Sequence, residues 1–424
     1  MTGRDTVSGQ PGPGRRTLLR GGLLGGAGVA ALAAGMAVSG RAGAQTGADL
    51  EPAPPGTAAL GPAGDLVEPF HGPHQSGILT HPQPHGVFVA LDLEDGAGAE
   101  EVGRLMRVWT DDISRLMAGV APLTDQEPEL AERASGLTVT VGWGASLFDR
   151  TGLQDVRPRW LRPLPELPID QLDEAWGEAD LVLQICAHSP VTVSHARRHL
   201  VGAAAGIARP RWLQTGFREP MERHGWSMRN LFGQVDGTVQ PDAAGVDAPL
   251  VLIDPATGGS AAADPRWEGG SSLVLRRIRM DMADWDRADR IAREHSIGRD
   301  LATGAPLTGG TVDTPVDLHA MLPGGGLPVI DRDAHVRRAS PHAPHERFLR
   351  RPYNYEVQRQ DGSVETGLLF AAYQADPVRQ FLPVQQRLAE ADLLNLWTIP
   401  VGSAVFAILP GCAEGEWLGQ HLLA

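Results

Sequence analysis

The sequence of 424 residues contains no lysine, so all 37 of its basic side chains are arginine. Its 51 acidic residues give a formal net charge of -14, which argues against nucleic acid as a partner. The two cysteines, Cys186 and Cys412, are too few for a disulfide framework or a cysteine-rich metal cluster. Each lies in an apolar run, so we expect two buried free thiols, with a single disulfide between them as the alternative.

The sequence also lacks a long, uninterrupted hydrophobic run that would predict a membrane span. Its most apolar stretch, 21–38, is broken by glycines and follows Arg15 and Arg16. An arginine pair ahead of a short apolar run is typical of a twin-arginine export signal. A small-x-small cleavage site follows at Ala42-Gly43-Ala44. Residues 1–44 are therefore predicted to be a cleaved signal peptide, with an uncleaved signal anchor as the alternative.

This signal predicts that the twin-arginine translocase is a partner during export. The mature protein is expected to be extracellular or associated with the cell envelope, without a stable membrane span. Residues 45–66 are rich in Ala, Gly and Pro and show no apolar period, so they are predicted to form a flexible linker.

The remaining residues alternate between strand and helix patterns. Predicted strands cover 85–91, 137–141, 181–187, 272–280, 367–373 and 404–409. Predicted helices cover 99–116, 191–200, 282–294 and 378–388. The pattern favours an α+β fold of two ferredoxin-like halves, 67–245 and 246–424, although an α/β arrangement fits it equally. Two stretches rich in Gly, Pro and Asp, 241–259 and 304–326, are predicted to be extended loops.

One short motif places a carboxylate between glycines. In the segment from Asn230 to Thr238, Asp236 stands between Gly233 and Gly237. Glycines allow a tight turn and a close ligand approach, and an aspartate there can accept and donate a proton. An Asp-Gly pair is also common in turns that have no chemical role.

Two further motifs follow about a hundred residues later, His335-Val336-Arg337-Arg338-Ala339 and Arg350-Arg351-Pro352-Tyr353. Together with the Asp236 segment they resemble the dye-decolorizing peroxidases, a haem family. The resemblance runs from about Val67 to the C-terminus and is closest to the twin-arginine-exported bacterial subgroup. Further similar segments are 67–78, 267–272, 276–279, 298–299, 304–307, 367–370, 402–406 and 410–411.

The resemblance implies a fold of the dimeric α+β barrel type, with haem b (iron protoporphyrin IX) bound in the C-terminal half. It also implies an enzyme that reduces hydrogen peroxide and oxidises bulky aromatic donors, such as dyes and phenols, in one-electron steps. The twin-arginine route carries folded proteins, so it suits a protein that acquires haem before export. A haem-binding or iron-releasing protein of extracytoplasmic iron uptake is the alternative function. A binding module without haem is a third possibility.

On the proximal side, the resemblance implies that His335 binds the haem iron and that Asp392 holds the other nitrogen of its ring. A solvated acid on a helix surface is the alternative for Asp392. His342 and His345 could form a metal pair, but the prolines beside them disfavour the helix that would align their side chains.

On the distal side, the resemblance assigns Asp236 to proton transfer and Arg350 to charge stabilisation. Arg351 competes with Arg350, because a loop of altered length would exchange the two. The family usually has glycine where Pro352 stands, and this departure could change the direction of the arginine side chain. Gly237 is expected beside the cofactor.

Two further sets of residues are candidates for roles around the haem. Arg337 and Arg338 could contact the haem propionates or form a solvated pair. Candidate electron-relay residues are Trp397, Tyr353, Tyr355 and Tyr373, and the alternative for each is a place in the core.

We predict that replacing Arg15 and Arg16 together by lysine blocks export and leaves the activity of the cytoplasmic protein intact. The arginine pair is read by a receptor and contributes nothing to the fold. The measurement is the partition of the protein between the culture medium or envelope and the cytoplasm. Undiminished export of the double variant would show that the signal is of another kind.

Overall fold

The computed structural model describes residues 63–220, 227–257 and 264–423. The predicted signal peptide lies outside these residues, as does the predicted linker up to residue 62. Both stay predictions.

The first half contains four strands and three helices. The strands are β1 (His85–Leu93), β2 (Thr138–Gly144), β3 (Leu181–Ala187) and β4 (Ala208–Phe217), and the helices are α1 (Ala99–Met117), α2 (Ala145–Thr151) and α3 (Pro190–Ala203). The strands pair antiparallel in the order β2-β3-β1-β4, which is the order of a ferredoxin-like sheet.

A small hairpin, β5 (Met228–Arg229) and β6 (Val235–Asp236), links the two halves. The strands of the second half are β7 (Ser271–Met280), β8 (Leu349–Arg350), β9 (Tyr353–Gln358), β10 (Val364–Gln374) and β11 (Thr398–Ile408). Its helices are α4 (Ala248–Val251), α5 (Met282–Arg287), α6 (Arg290–Ile297), α7 (His335–Arg338), α8 (Phe381–Ala391) and α9 (Gln420–Leu423). The order β11-β7-β10-β9 repeats the ferredoxin-like arrangement.

The two sheets join at both edges. Strand β11 pairs with β2, and β4 pairs with β9 through Phe217 and Asn354. Because β7 also pairs with β10, eight strands close into a single ring. The predicted α+β fold of two ferredoxin-like halves is confirmed. The predicted boundary between residues 245 and 246 falls in the connection from β6 to α4, and its position stays a prediction.

The outer face of the ring is covered by amphipathic helices. Helix α1 buries Leu105, Trp109 and Ile113 at helical spacing, and the indole of Trp109 donates to the Leu200 carbonyl of α3 at 2.9 Å. Burying each such side chain contributes about 1.5–3 kcal/mol. Inside the ring, residues of seven of the eight ring strands, including Phe88 of β1, form a second core.

Three predicted features differ from the structure. The helix predicted over 282–294 is two helices, because the chain turns extended at Ala288 after α5 and Asp289 caps α6, with its Oδ1 accepting from Ala292 N at 2.7 Å. Strands β4 and β9 had no predicted counterpart. The loop predicted over 241–259 contains α4, a single helical turn.

Both cysteines are buried and free, so the predicted pair of free thiols is confirmed. Among the described residues, none of the helices has the length and apolar character that crossing a membrane requires.

The Glu178 carboxylate lies beside the short pairing between β11 and β2, which covers only Phe406 to Ile408 of β11. Just before this stretch, the Val405 N–H donates to both carboxylate oxygens of Glu178, at 3.2 and 3.1 Å. Burial raises the pKa of Glu178 to about 7, although the Val405 hydrogen bond and the charge of Arg211 oppose the shift. The folded protein therefore holds this proton at a pH where the unfolded chain has lost it.

We predict that Glu178→Gln flattens the pH dependence of stability. The raised pKa means that stability is lost as pH rises from the ordinary glutamate pKa, 4.5, to about 7. A glutamine keeps the acceptor for Val405 and does not titrate. Between about pH 5 and about pH 8, the free energy of unfolding of wild type should fall by at least ~1 kcal/mol more than that of the variant. This corresponds to roughly 2–4 °C in melting temperature. Glu174→Gln, at an exposed position, is the control, and equal slopes for Glu178→Gln and wild type would contradict the prediction.

Candidate active site

His335 and Asp392 form a hydrogen-bonded pair. His335 is the first residue of α7, and its Nδ1 lies 2.6 Å from Asp392 Oδ2. The other oxygen of Asp392, Oδ1, accepts from Leu394 N at 2.9 Å and caps the turn after α8. The Asp392 side chain is only 4% exposed, so the alternative of a solvated helix-surface acid is wrong.

The pair fixes the state of the imidazole. Burial disfavours the charged ring, but the charge and hydrogen bond of Asp392, with the charge of Asp236, outweigh burial and raise the pKa of His335. Arg350 opposes this shift. In the neutral ring, Nδ1–H donates to Asp392 and the Nε2 lone pair is available to a metal.

The imidazole is accessible to a ligand, because about a third (34%) of the His335 side chain is exposed. Among the described residues, no three His, Cys, Asp or Glu side chains converge to hold a metal ion. A single imidazole with a free nitrogen suits a metal whose other ligands come from a macrocycle.

Asp236 is the last residue of β6, and it follows the turn that joins β5 to β6. Side chains within that turn hold it closed. Asn230 Oδ1 accepts from Gln234 N at 3.1 Å, and Asn230 Nδ2 donates to Gln234 Oε1 at 2.8 Å. Gly233 and Gly237 have φ of 79° and 87°, a region that favours glycine. This turn presents Asp236 beside Gly237.

Arg350 contacts Asp236 directly. Its Nη1 donates to Asp236 Oδ1 at 3.0 Å, and its Nη2 donates to the Val239 carbonyl at 3.0 Å. The amide of Gln240 holds the Arg350 backbone, accepting from its N–H at 3.0 Å and donating to its carbonyl at 2.8 Å. Both charged side chains stay partly accessible, 22% for Arg350 and 14% for Asp236. Gln240 has no motif of its own, so the sequence did not identify it.

Arg351 points the other way. Consecutive residues of an extended chain project to opposite sides, and Arg351 lies buried inside the ring, where it donates to the Thr80 carbonyl and the Gln83 amide oxygen. Of the two competing arginines, only Arg350 reaches Asp236.

Arg337 and Arg338 both bind protein groups. Arg337 donates to three backbone carbonyls, those of Leu318, Ile330 and Asp331, at 2.8–3.0 Å. Arg338 pairs with the Asp333 carboxylate. The structure therefore joins these arginines to the loop that precedes α7, and the cofactor contact expected of Arg337 stays a prediction.

The chain matches the two domains of one known family. Residues 75–218 match the domain described as Dyp-type peroxidase, N-terminal, and residues 227–413 match Dyp-type peroxidase, C-terminal. The chain belongs to the Dyp-type peroxidase family. Among curated relatives, a dye-decolorizing peroxidase of Thermobifida fusca (strain YX) is 39% identical over 82% of this chain and 83% of that protein. A deferrochelatase of Shigella flexneri serotype 5b (strain 8401) is 34% identical over 84% of this chain and 87% of that protein.

Solved structures agree with this Dyp-type assignment. A DyP-type peroxidase from Cellulomonas bogoriensis is 48% identical with a TM-score of 0.81, and covers 85% of this chain and 99% of that one. Ferric DtpA from Streptomyces lividans is 40% identical with a TM-score of 0.79, covering 85% and 98%.

The four candidate relay residues of this Dyp-type peroxidase fall in two environments. Tyr353, Tyr355 and Tyr373 are fully buried. Trp397 is half-buried, and its ring meets that of Trp285 edge-on at 5.1 Å.

Proposed function

We propose that this Dyp-type peroxidase binds haem b through His335, reduces hydrogen peroxide at Asp236 and Arg350, and oxidises bulky aromatic donors such as dyes and phenols. The observation that carries the proposal is the direct contact between Asp236 and Arg350, close enough to His335 that both charges act on its imidazole. A proton acceptor and a fixed cation thus lie close enough to His335 to act on its ring.

The bound haem would supply the iron at which the peroxide bond is cleaved and the oxidising power that withdraws single electrons from donors. Asp392 orients the His335 ring and makes it a stronger electron donor through the Nδ1 hydrogen bond. Asp236 accepts the proton of hydrogen peroxide and returns it to the leaving oxygen, which departs as water. Arg350 carries a permanent charge and stabilises the negative charge that develops as the oxygens separate.

The polar groups around this pair hold Arg350 in place. Val239 and Gln240 hold Arg350 at both its side chain and its backbone, so its guanidinium is positioned before peroxide arrives. A preorganised charge needs no rearrangement during the reaction.

We further propose that the protein is exported by the twin-arginine translocase and acts outside the cytoplasm. Support comes from Arg15 and Arg16 and the apolar run that follows them. A route for folded proteins fits a chain that acquires haem before export. Membership of the exported subgroup rests on the same residues.

A second candidate function is iron release from haem, favoured by the deferrochelatase relative that covers most of this chain. The two functions share the His335 site and differ in the product. A peroxidase returns intact haem and oxidised donor, whereas an iron-releasing protein leaves metal-free porphyrin. Fluorescence of free porphyrin and bleaching of a dye, followed in the same sample, distinguish the two.

We predict that His335→Ala removes most of the bound haem, since the iron loses its protein ligand. Asp392→Asn should bind haem about 10–100-fold more weakly, because amide hydrogen bonding still orients the ring but donates less electron density. The measurement is haem per protein chain with the absorbance spectrum, and His342→Ala, at an exposed position, is the control. Wild-type haem content and spectrum in His335→Ala would exclude His335 as the ligand.

We predict that the two distal residues contribute separately to the peroxide step. Asp236→Asn should slow it ~10²–10⁴-fold by removing the proton acceptor. Arg350→Leu should slow it ~10²–10³-fold by removing the fixed charge. Stopped-flow spectroscopy of the peroxide reaction measures both, with Asp242→Asn, an exposed acid in the same segment, as control. A wild-type rate for Asp236→Asn with an impaired Arg350→Leu would make the arginine the dominant distal residue.

A further inference from the structure

Cys186 and Tyr353 contact each other inside the closed ring of strands, and the proposed mechanism assigns a role to neither. The Tyr353 hydroxyl donates to Cys186 Sγ at 3.2 Å, and both side chains are fully buried. The contact brings together the two side chains that lose a hydrogen atom most readily when a strong oxidant is near. No disulfide engages Cys186, which is a free thiol.

The strand register makes room for this contact. Cys186 on β3 pairs with Gly86 on β1, and Gly86 pairs in turn with Gly216 on β4. A Cβ at Gly216 would lie 2.5 Å from Tyr353 Cβ. A Cβ at Gly86 would lie 3.0 Å from both Cε1 and Cζ of Tyr353 and 3.2 Å from Cys186 Sγ. Gly86 and Gly216, on neighbouring strands, therefore form a groove in which the Tyr353 ring lies. The edge of that ring and Cys186 Sγ both pack against Gly86.

The pair lies near the proposed peroxide site. Tyr353 follows Arg350 by three residues, so their α-carbons are at most about 10 Å apart. Buried Arg351 stands between them in sequence, and its charge acts on both the Cys186 thiol and the Tyr353 hydroxyl. Asp236 and Tyr353 both act on the charge of one further arginine, Arg218. The electrostatic environment of the pair is thus continuous with that of Asp236.

Both groups keep their protons. Burial raises the pKa of the Cys186 thiol and of the Tyr353 hydroxyl, although Arg351 opposes the shift at each. A buried, protonated thiol is a poor nucleophile and is closed to reagents in solvent. The chemistry open to this pair is therefore oxidation by an equivalent generated within the protein.

We propose that Cys186 and Tyr353 are joined by a thioether bond when peroxide is turned over without a donor. The bond forms between Cys186 Sγ and the Cε1 ring carbon of Tyr353, and the S–H and Cε1–H bonds break. The two electrons and two protons released reduce one hydrogen peroxide to two waters. The cross-link rests on the proposed peroxidase function, which supplies the oxidant. The reaction uses up the two oxidising equivalents of one peroxide at a fixed place in the protein. The new bond links β3 to β9 inside the ring.

The test uses the haem-loaded protein, treated with small additions of hydrogen peroxide in the absence of a donor. Intact mass should fall by two hydrogen atoms, and digestion should give one joined peptide pair containing Cys186 and Tyr353. After denaturation, only one thiol per chain, that of Cys412, should still react with an alkylating reagent. Excess dye during turnover should suppress the change, because the donor then supplies the electrons.

Matched variants separate the pair from other residues of the same kind. Tyr353→Phe and Cys186→Ala should abolish the mass change. Tyr373→Phe should retain it, since the equally buried Tyr373 hydroxyl binds Gln184 rather than a thiol. Cys412→Ser should also retain it, because Cys412 is the other buried thiol and has no tyrosine partner among its described contacts.

Two results would overturn the proposal. The first is wild-type protein that bleaches dye with peroxide and yet keeps two alkylatable thiols and an unchanged mass after donor-free turnover. The second is oxidation of Cys186 to an oxygen adduct without a joined peptide. Neither affects the proposed function, which instead fails if the purified protein binds no haem or does not react with peroxide.

Discussion

The hydrogen bond between His335 and Asp392 is the interaction on which the site depends. A carboxylate that is only 4% exposed is costly to bury unless each of its oxygens has a partner. Here one oxygen binds the imidazole and the other caps the turn at Leu394, so the end of α8 and the start of α7 are fixed to each other. The same contact selects which ring nitrogen stays free. One carboxylate therefore both joins the two helix ends and orients the His335 ring.

Strand geometry places the neighbouring residues Arg350 and Arg351 in different environments. Arg350 projects toward Asp236, while Arg351 projects into the ring of strands and binds Thr80 and Gln83. A shift of one residue would exchange these environments. The Gln240 amide, bound to both backbone groups of Arg350, opposes such a shift. The interior that receives Arg351 is also where Tyr353 meets Cys186.

Much of the fold and site could be predicted from the sequence, and the failures have physical causes. Hydrophobic periodicity identified most ring strands, but β4 carries arginines and exposed residues that hide its alternation. Motif resemblance located His335, Asp236 and Asp392, and local sequence could not decide between Arg350 and Arg351. That choice depends on the side to which each residue projects. Gln240 and the glycine groove under Tyr353 depend on pairing between distant strands, which no local pattern records.

The most direct measurement is a crystal structure of the haem-loaded protein. We expect the iron to be bound by Nε2 of His335, with Asp392 still bound to Nδ1. We also expect Asp236 and Arg350 to lie over the opposite face of the porphyrin, within reach of a peroxide. An iron bound by another side chain, or an Asp236–Arg350 pair remote from the open face of the haem, would contradict it.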